Sequence, residues 1–152
     1  MSHVTRLLSA WHRWWFVRID PFILGLYRMC LGAFLLLYYL MLGPSWQKYY
    51  GVHGCSPAPL RAWADWRIPD SVYLYVGSEA GRWALYGLSV LCAVCLLCGR
   101  GGKWPLIWLW ISNCSLMYAN LAVANGEEQV LAVLLFYSVL LPLNAACRIP
   151  EG

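Results

Sequence analysis

The chain has 152 residues, of which 61% are hydrophobic and only 12% are charged, and its mean hydropathy is +0.56. Soluble domains are about half apolar and about a quarter charged, so this composition is typical of a membrane protein, and the length predicts a single domain, 1–152. The net charge of +4 includes no basic run, which gives no support to nucleic-acid binding.

The first predicted element is an amphipathic helix at about residues 3–17. Its residues alternate at helical spacing between an apolar face (Val4, Leu7, Leu8, Trp11, Trp14 and Trp15) and a polar face (Arg6, Ser9 and Arg13). Because tryptophan favours the membrane interface, we expect this helix to lie in the cytoplasmic interface. A helix that binds a partner protein is the alternative.

Two long apolar segments follow. The first, at about 21–42, is long enough to cross roughly 30 Å of hydrocarbon at about 1.5 Å per residue, and Gly43 and Pro44 are expected to end it. The second is expected at about 79–98, where Ser78 is the predicted N-cap. Both segments are therefore predicted to be transmembrane helices.

Two further spans complete the predicted fold. The third is expected at about 104–124 and begins near Pro105, and the fourth at about 128–147, where Pro142 should kink or end the helix. An Asn-Gly-Glu-Glu turn, 125–128, separates them and places acids near the positive end of the fourth helix. The predicted fold is all-α, a four-transmembrane-helix bundle with an N-terminal interfacial helix.

The charges between the spans predict the orientation. Arginines before the first span, together with Arg100 and Lys103 after the second, place both termini in the cytoplasm by the positive-inside rule. The outer loop, 43–78, conflicts mildly because it contains three bases and two acids. The predicted location is a bacterial inner (plasma) membrane, with the lipid bilayer as a partner.

Four residues are candidate ligand-binding positions: Arg28, His53, Asn113 and Glu127. Arg28 is a charged residue inside the first predicted span, and ionisable residues within a membrane are often functional. The preferred interpretation is nevertheless structural: a salt bridge, or a long side chain that reaches the cytoplasmic interface. His53 lies near Cys55 in the loop "YYGVHGCSPAPL". Two potential ligands do not make a metal site, so no metal is predicted.

The other polar candidates also have structural alternatives. Asn113 and Asn120 share a face of the third span with nearby serines, and hydrogen bonds between helices are preferred over a pocket for a quinone-like ligand. Glu127 and Glu128 are expected to be solvated acids at a helix start, with a proton or cation site as the alternative. The segment "CAVCLLC" (92–98) is expected to pack as small apolar residues and not to act as a redox pair.

The order of these features resembles the HTTM family, the membrane domain shared with vitamin K-dependent gamma-glutamyl carboxylase. The segment "RIDPFILGLYRMCLGAFLLL" (18–37) resembles the family's first helix, with Asp-Pro before it and Tyr27 and Arg28 leading into a leucine run. The loop "YYGVHGCSP" is similar to the family's aromatic-glycine loop. Residues 98–143 resemble the next two spans, including the Asn-Gly-acidic turn and a Leu-Pro-Leu ending.

The resemblance implies the first half of such a domain and argues against a complete carboxylase. In the carboxylase, the lysine that deprotonates vitamin K hydroquinone lies beyond the fourth span, and a lumenal substrate-binding domain follows it. Lys48 and Lys103 do not match that lysine, so no catalytic residue is assigned. Four-helix DoxX-like membrane proteins are similar in size and layout, and some are subunits of quinone-linked oxidoreductases, which leaves a redox function open by analogy.

The predicted function is that of a non-catalytic subunit or accessory protein of a larger membrane complex, because ten tryptophans and long apolar faces accompany no assembled catalytic set. The alternative is an HTTM/DoxX-like redox protein that handles a quinone or lipid, with Arg28, His53 and Glu127 around the headgroup. A quinone or bound lipid would then be the ligand; otherwise no cofactor is predicted. A proton or ion path ranks last because the polar residues expected within the membrane are Arg28, Asn113 and Asn120, with no intramembrane acid.

Overall fold

A computed structural model of the chain describes residues 21–54, 71–120 and 126–141. The elements in these ranges are α1 (Pro21–Leu42), a 3-10 turn (Gly43–Ser45), α2 (Trp46–Tyr50), α3 (Val72–Tyr75), α4 (Glu79–Leu97), α5 (Trp104–Ala119) and α6 (Gly126–Leu140). Every regular element in the described ranges is a helix, which confirms the all-α prediction for that part of the chain. The predicted interfacial helix, about 3–17, lies outside the described residues.

Two of the helices are long and apolar enough to cross a membrane. One is Phe22–Tyr50, a 29-residue path through α1, the 3-10 turn and α2, and the other is Glu79–Leu97, the 19 residues of α4. They begin where the first two spans were predicted. By length and composition, these two helices indicate a membrane-associated protein.

At the Gly-Pro pair after α1, the α-helix gives way to a 3-10 turn, which leads directly into the short helix α2. The predicted end of the first α-helix at Gly43 and Pro44 is confirmed, since α1 ends at Leu42. Pro44 lies in the first turn of the 3-10 segment, where its missing N–H costs no helical hydrogen bond. A Cβ on Gly43 would lie 2.8 Å from the Tyr86 hydroxyl, so the glycine permits a close contact with α4.

Both ends of α4 follow from local sequence. The Gly81 N–H donates to Ser78 Oγ at 3.2 Å, which confirms Ser78 as the N-cap. At the other end, Gly99 (φ 73°) and Gly101 (φ 88°) adopt left-handed conformations that residues with a Cβ rarely adopt. The chain reverses direction there, so α4 and α5 form a helical hairpin.

The described parts of α5 and α6 are shorter than the spans predicted for them. α5 has 16 residues and α6 has 15, which corresponds to about 24 Å and about 23 Å of helix. The predicted spans, about 104–124 and 128–147, extend into residues 121–125 and 142–152. Those residues, including Pro142, lie outside the described ranges.

The four long helices pack side by side with antiparallel neighbours. α1 packs against α4, α4 against α5, and α5 against α6, whereas α1 and α6 approach each other less closely and leave a seam. The α1–α4 contact is very close at Gly32, where a Cβ would lie 2.7 Å from the Leu97 backbone nitrogen. We call the end of the bundle that holds α2, α3 and the start of α6 the loop end, and the end with the α4–α5 turn the turn end.

The surface of the bundle is largely apolar, while its interior combines leucine and aromatic side chains with polar groups. The apolar side chains that are more than half exposed include Phe22, Ile23, Leu26, Phe34, Leu37, Leu40 and Met41 on α1, Leu91 on α4, and Val130, Val133, Tyr137 and Leu140 on α6. The buried polar side chains include Arg28, Ser89, Ser112, Asn113 and Glu128. An amphipathic helix of a water-soluble protein places its polar face outward, so this distribution is unusual for such a protein.

Candidate functional site

A hydroxyl network lies at the centre of the bundle. Tyr39 Oη on α1 donates to Ser112 Oγ on α5 at 3.1 Å, and Tyr73 Oη on α3 lies 2.7 Å from the same oxygen. Ser89 Oγ on α4 lies 2.8 Å from Ser112 Oγ and accepts from Trp108 Nε1 at 3.0 Å. Side chains from α1, α3, α4 and α5 therefore meet in a single network.

The donor directions in this network follow from the valence of each hydroxyl. Ser89 Oγ donates to the Leu85 carbonyl oxygen at 3.0 Å, so Ser112 must donate to Ser89 and accept from Tyr39 and Tyr73. Burial raises the pKa of Tyr73, which keeps its phenol protonated as a donor. A serine hydroxyl has one proton and two lone pairs, so both serines are saturated. The network joins helices, and its two serine hydroxyls have no hydrogen-bonding capacity left for a ligand.

Arg82, on the first turn of α4, holds the start of the outer loop in place. Its Nη1 donates to the carbonyl oxygens of Tyr50 and Gly51, at 2.8 Å in each case, and its Nε donates to the Val76 carbonyl oxygen at 3.0 Å. The side chain is only 9% exposed, so these carbonyl dipoles replace water around the charge. We call this set of contacts the Arg82 clamp.

Glu79 fixes the same loop from a second side. Its Oε2 accepts from the Val52 N–H at 2.8 Å, and its buried Oε1 has no hydrogen-bond partner among the described residues. The Gly54 N–H donates to the Gly51 carbonyl oxygen at 3.0 Å, which closes a turn. His53 is exposed on this turn. The contacts of Glu79 order the backbone, while the imidazole of His53 faces solvent.

An aromatic cluster fills the loop end beside the Arg82 clamp. Trp46 is fully buried, and its ring centroid lies 4.7 Å from that of Tyr86, 5.2 Å from Tyr50 and 5.4 Å from Tyr73. Aromatic pairs at these separations contribute stability beyond the area that they bury. The cluster explains the tyrosine at the end of α2, since Tyr50 packs on Trp46 while its carbonyl oxygen accepts from Arg82.

The two adjacent acids of α6 have different environments. Glu127 is exposed, whereas Glu128 is 8% exposed and its Oε1 accepts from Tyr38 Oη at 3.2 Å. The prediction that both acids are solvated is therefore wrong for Glu128. Asn113 Nδ2 donates to the Glu128 carbonyl oxygen at 3.0 Å, and Asn113 Oδ1 has no hydrogen-bond partner among the described residues. A buried carboxyl group thus lies at the loop end, between α1, α5 and α6.

The four candidate ligand-binding residues do not form one site. Asn113 contacts the start of α6, next to Glu127, and His53 is exposed in the loop after α2. Arg28 lies ten residues before Tyr38 on α1 and hence about 15 Å nearer the turn end. The structure therefore does not bring Arg28 and Glu127 around one headgroup, as the redox alternative expected.

Arg28 is a buried residue of the bundle. Its side chain is 6% exposed. A side chain that extends along the surface to reach the cytoplasmic interface would leave its head group accessible, so the burial argues against that alternative. The guanidinium is instead enclosed near the level where Tyr27 Oη and Ser138 Oγ meet at 2.7 Å.

The seam between α1 and α6 contains two connected cavities. One, of about 520 Å³, is lined by Phe34, Gly126, Glu127, Val130, Leu131 and Leu134. The other, of about 270 Å³, is lined by Tyr27, Cys30, Leu31, Phe34 and Leu134. Because Phe34 and Leu134 line both cavities, we treat them as one feature, the seam groove.

The described cysteines and acids are dispersed. No group of three or more His, Cys, Asp or Glu side chains that could hold a metal ion occurs in residues 21–54, 71–120 and 126–141. In the "CAVCLLC" segment, Cys92 and Cys95 on α4 and Cys98 directly after it are free thiols. Cys55, the cysteine of the outer loop, lies outside the described ranges.

The Arg82 clamp and the role of the tyrosines escaped prediction from the sequence. Arg82 lies one turn after the N-cap Ser78 and three residues after Glu79, a pattern that is typical of solvated charges on a first turn. Its burial depends on a loop 31 and 32 residues away in the chain, at Gly51 and Tyr50.

No protein-family model, curated protein or solved structure matches the chain. Function is therefore inferred from burial, hydrogen bonding and the composition of the surface. The described polar side chains chiefly hold helices and the outer loop in position. What the arrangement offers to other molecules is a broad apolar surface and a groove with a carboxylate at one end.

Proposed function

We propose that the chain is an integral membrane protein that crosses the membrane four times and acts as a non-catalytic subunit or accessory protein of a larger membrane complex. The distribution of apolar side chains over the bundle surface is the main support. Phe22, Met41 and Val130 are 74%, 81% and 70% exposed, while Ser112 and Asn113 are 2% and 1% exposed.

This distribution suits hydrocarbon better than water. Soluble monomers rarely expose contiguous apolar patches of more than a few hundred Å², because each such patch favours association. In a bilayer, apolar side chains face lipid at no such cost, and polar groups are directed inward, where they form hydrogen bonds between helices. The hydroxyl network is of this kind.

Four crossings are supported by the extent of α5 and α6 along the bundle. α5 starts at the turn end and extends to the loop end. There Asn120, the residue after α5, donates from Nδ2 to the Tyr49 carbonyl oxygen at 3.1 Å. α6 returns from the loop end, and its Ser138 reaches Tyr27 near the start of α1. Helices that run alongside a membrane-spanning pair over this length are expected to cross the same bilayer.

The proposed orientation has both termini in the cytoplasm of a bacterial inner membrane. Four crossings return the chain to its starting side, and Arg100 and Lys103 place the turn end in the cytoplasm by the positive-inside rule. The resemblance of residues 18–37 and 98–143 to the HTTM family supports the same layout. We propose that the chain has the fold of the first half of such a domain.

The orientation is tested by labelling cysteines from outside the cell. Lys48→Cys and Lys103→Cys are introduced singly into a variant whose seven native cysteines are replaced. A membrane-impermeant maleimide should label position 48 in intact spheroplasts and position 103 only after permeabilisation. The reverse pattern would contradict the orientation, and labelling of both positions in sealed cells would contradict membrane insertion.

An accessory function is supported by the way in which polar groups are used. The serine hydroxyls of the network are saturated, and the Arg82 clamp is directed at the backbone of the same chain. The outward faces of α1 and α6, where many apolar side chains are exposed, remain available to another membrane protein. Purification in a mild detergent, followed by native mass spectrometry and identification of co-purifying chains, tests the proposal. A lone monomer, under conditions that preserve known complexes of the same membrane, would refute it.

The alternative function, an HTTM/DoxX-like protein that handles quinone or lipid, is favoured by one observation, the seam groove with Glu127 at its mouth. The separation of Arg28 from Glu127 places Arg28 outside such a site. Solvent extraction of the purified protein and mass spectrometry of the extract test this alternative. A quinone at stoichiometric level, with an absorbance that changes on reduction, would support redox chemistry.

A further inference from the structure

The seam groove is long, narrow and open at the apolar surface of the bundle. Gly126 and Glu127 form its mouth at the loop end, and Tyr27 and Cys30 line its other end. From Glu127 to Ser138, the hydrogen-bond partner of Tyr27, α6 advances eleven residues, or about 16 Å. The groove therefore follows about half the length of α1 and most of the length of α6.

The groove exists because two long side chains bridge α1 and α6. Tyr38 reaches Glu128 near the loop end, and Tyr27 reaches Ser138 near the turn end, at 3.2 and 2.7 Å. Each bridge is made by the terminal hydroxyl of a tyrosine, so the two backbones are held further apart than at the α1–α4 contact. Between the bridges, the space is lined by apolar side chains such as Phe34 and Leu134.

We propose that the seam groove binds one acyl chain of an aminophospholipid of the phosphatidylethanolamine type, with the lipid ammonium group at Glu127. This inference rests on the membrane location proposed above. It assigns a specific ligand chemistry to a groove that otherwise would be an empty gap in the bundle.

The dimensions of the groove favour an acyl chain over a helix. One leaflet of a bilayer has a hydrocarbon depth of about 15 Å, half of the usual ~30 Å core, which matches the length of the groove. A helix with its side chains is about 10 Å across and needs a broad, shallow surface. An unfilled gap between packed helices forfeits dispersion contacts, which a chain of methylene groups restores.

The charge at the mouth favours an ammonium headgroup. Among the described residues that line the two cavities, Glu127 is the one with a charged side chain, and it is exposed. An ethanolamine ammonium can donate hydrogen bonds to this carboxylate, a choline group cannot, and an anionic phosphatidylglycerol headgroup brings no cation to it. We therefore expect the protein to retain phosphatidylethanolamine most strongly, phosphatidylcholine less strongly and phosphatidylglycerol least.

A photoactivatable phosphatidylethanolamine with a diazirine in the middle of one acyl chain maps the bound chain on the unmodified protein. The full-length protein is reconstituted into phosphatidylcholine vesicles that contain a small fraction of this probe, then irradiated and digested. Crosslinks should concentrate on the α1 and α6 peptides around Phe34 and Leu134. They should be rare at Leu91, which is similarly exposed (58%, against 56% for Phe34) but lies on α4, away from the groove.

Two variants test the groove and its mouth by native mass spectrometry, with the three lipids at equal concentration. Leu134→Trp fills the groove and should lower bound phosphatidylethanolamine at least threefold. Leu88→Trp is the matched control, because Leu88 and Leu134 are both 40% exposed and Leu88 is on α4. Glu127→Gln should reduce the preference for phosphatidylethanolamine over phosphatidylglycerol from about fivefold to about one, the scale of an exposed ion pair.

Several outcomes would overturn the inference. Crosslinks spread evenly over the exposed faces of α1, α4 and α6 would mean surrounding bilayer lipid only. A dimer that Leu134→Trp disrupts would mean that a second copy occupies the seam, and equal retention of the three lipids would reject the headgroup assignment. In each case, resistance to carbonate extraction would still support the membrane location, so failure of the lipid site is distinguished from failure of the proposed function.

Discussion

Ser112 shows how a single small hydroxyl group organises the interior. It accepts from Tyr39 and Tyr73 and donates to Ser89, so it forms hydrogen bonds with three other buried groups. If the serine oxygen were removed, the buried Tyr39 hydroxyl would lose its acceptor and Tyr73 its shorter contact, while Ser89 would keep its bonds to Leu85 and Trp108. A buried hydroxyl without a partner destabilises the folded state by about 1–3 kcal/mol.

Removal of this hydroxyl should therefore destabilise the protein more than an ordinary serine-to-alanine change. We expect Ser112→Ala to lower the free energy of unfolding by about 1–2 kcal/mol, measured by denaturation in a mild detergent. Ser45→Ala is the control, because the Ser45 side chain makes no capping hydrogen bond with α2. Equal stability of the two variants would show that the network contributes nothing.

Arg82 stabilises the outer loop through backbone carbonyl groups and not through an acidic side chain. Its replacement by methionine keeps the apolar part of the side chain and removes the donors to Tyr50, Gly51 and Val76. Hydrogen exchange in residues 50–54 should accelerate about tenfold or more, because charge-assisted hydrogen bonds are worth about 1.5–3 kcal/mol each. Arg100→Met, at an exposed position, should leave that exchange unchanged. Unaltered exchange in Arg82→Met would contradict the clamp.

At the scale of elements, the packing of α1 on α4 depends on Gly32. The two backbones approach so closely there that a Cβ would lie 2.7 Å from Leu97 N and 2.8 Å from Leu97 Cα. Close approach of helix backbones at small residues is a common way of packing helices in membranes, where dispersion contacts matter more than exclusion of water. The seam between α1 and α6 is the opposite case, since tyrosine bridges keep those helices apart.

A pair of glycine substitutions separates this packing effect from helix propensity. Gly32→Ala should destabilise the bundle by about 1–3 kcal/mol, because the new methyl group meets backbone atoms that cannot move independently. Gly87→Ala, in the same bundle but with no atom within 4 Å of the added Cβ, should be neutral or stabilising by about 0.5–1 kcal/mol. Thermal unfolding of both variants in one detergent measures the difference. Stabilisation of both would mean that α1 and α4 are further apart than described.

At the scale of the whole molecule, the effect of a charge placed on the apolar surface shows whether that surface faces lipid or water. A charge placed at an exposed site of a soluble protein usually changes stability by less than about 0.5 kcal/mol, whereas an arginine in the middle of a lipid-facing helix costs about 2.5–3.5 kcal/mol. Leu91, which is 58% exposed on α4, is such a site if the bundle crosses a bilayer.

Leu91→Arg should therefore reduce the amount of protein recovered in the membrane fraction, because insertion of α4 becomes less favourable. Trp104→Arg is the control, since Trp104 is 78% exposed at the turn end, where an interfacial arginine is tolerated. Membrane fractionation and immunoblotting measure both. An increased soluble yield of Leu91→Arg, with unchanged stability, would indicate that this surface faces water.

The sequence by itself determined the properties that depend on neighbouring residues. Composition and long apolar segments predicted an all-α protein, and Ser78 predicted the start of α4. These features follow from backbone conformation, capping and hydropathy over a few residues, so they can be recognised without knowledge of the fold.

Only the tertiary structure decided which polar groups are buried and which helices leave a gap. Glu127 and Glu128 are adjacent and chemically identical, yet only Glu128 is enclosed, because its side of α6 faces Tyr38. Arg82 is buried by the loop segment that follows α2, and the seam groove is bounded by Tyr27 and Ser138, which are 111 residues apart in the chain. Burial depends on which surfaces meet after the helices pack, and local sequence patterns contain no information on contacts at that separation.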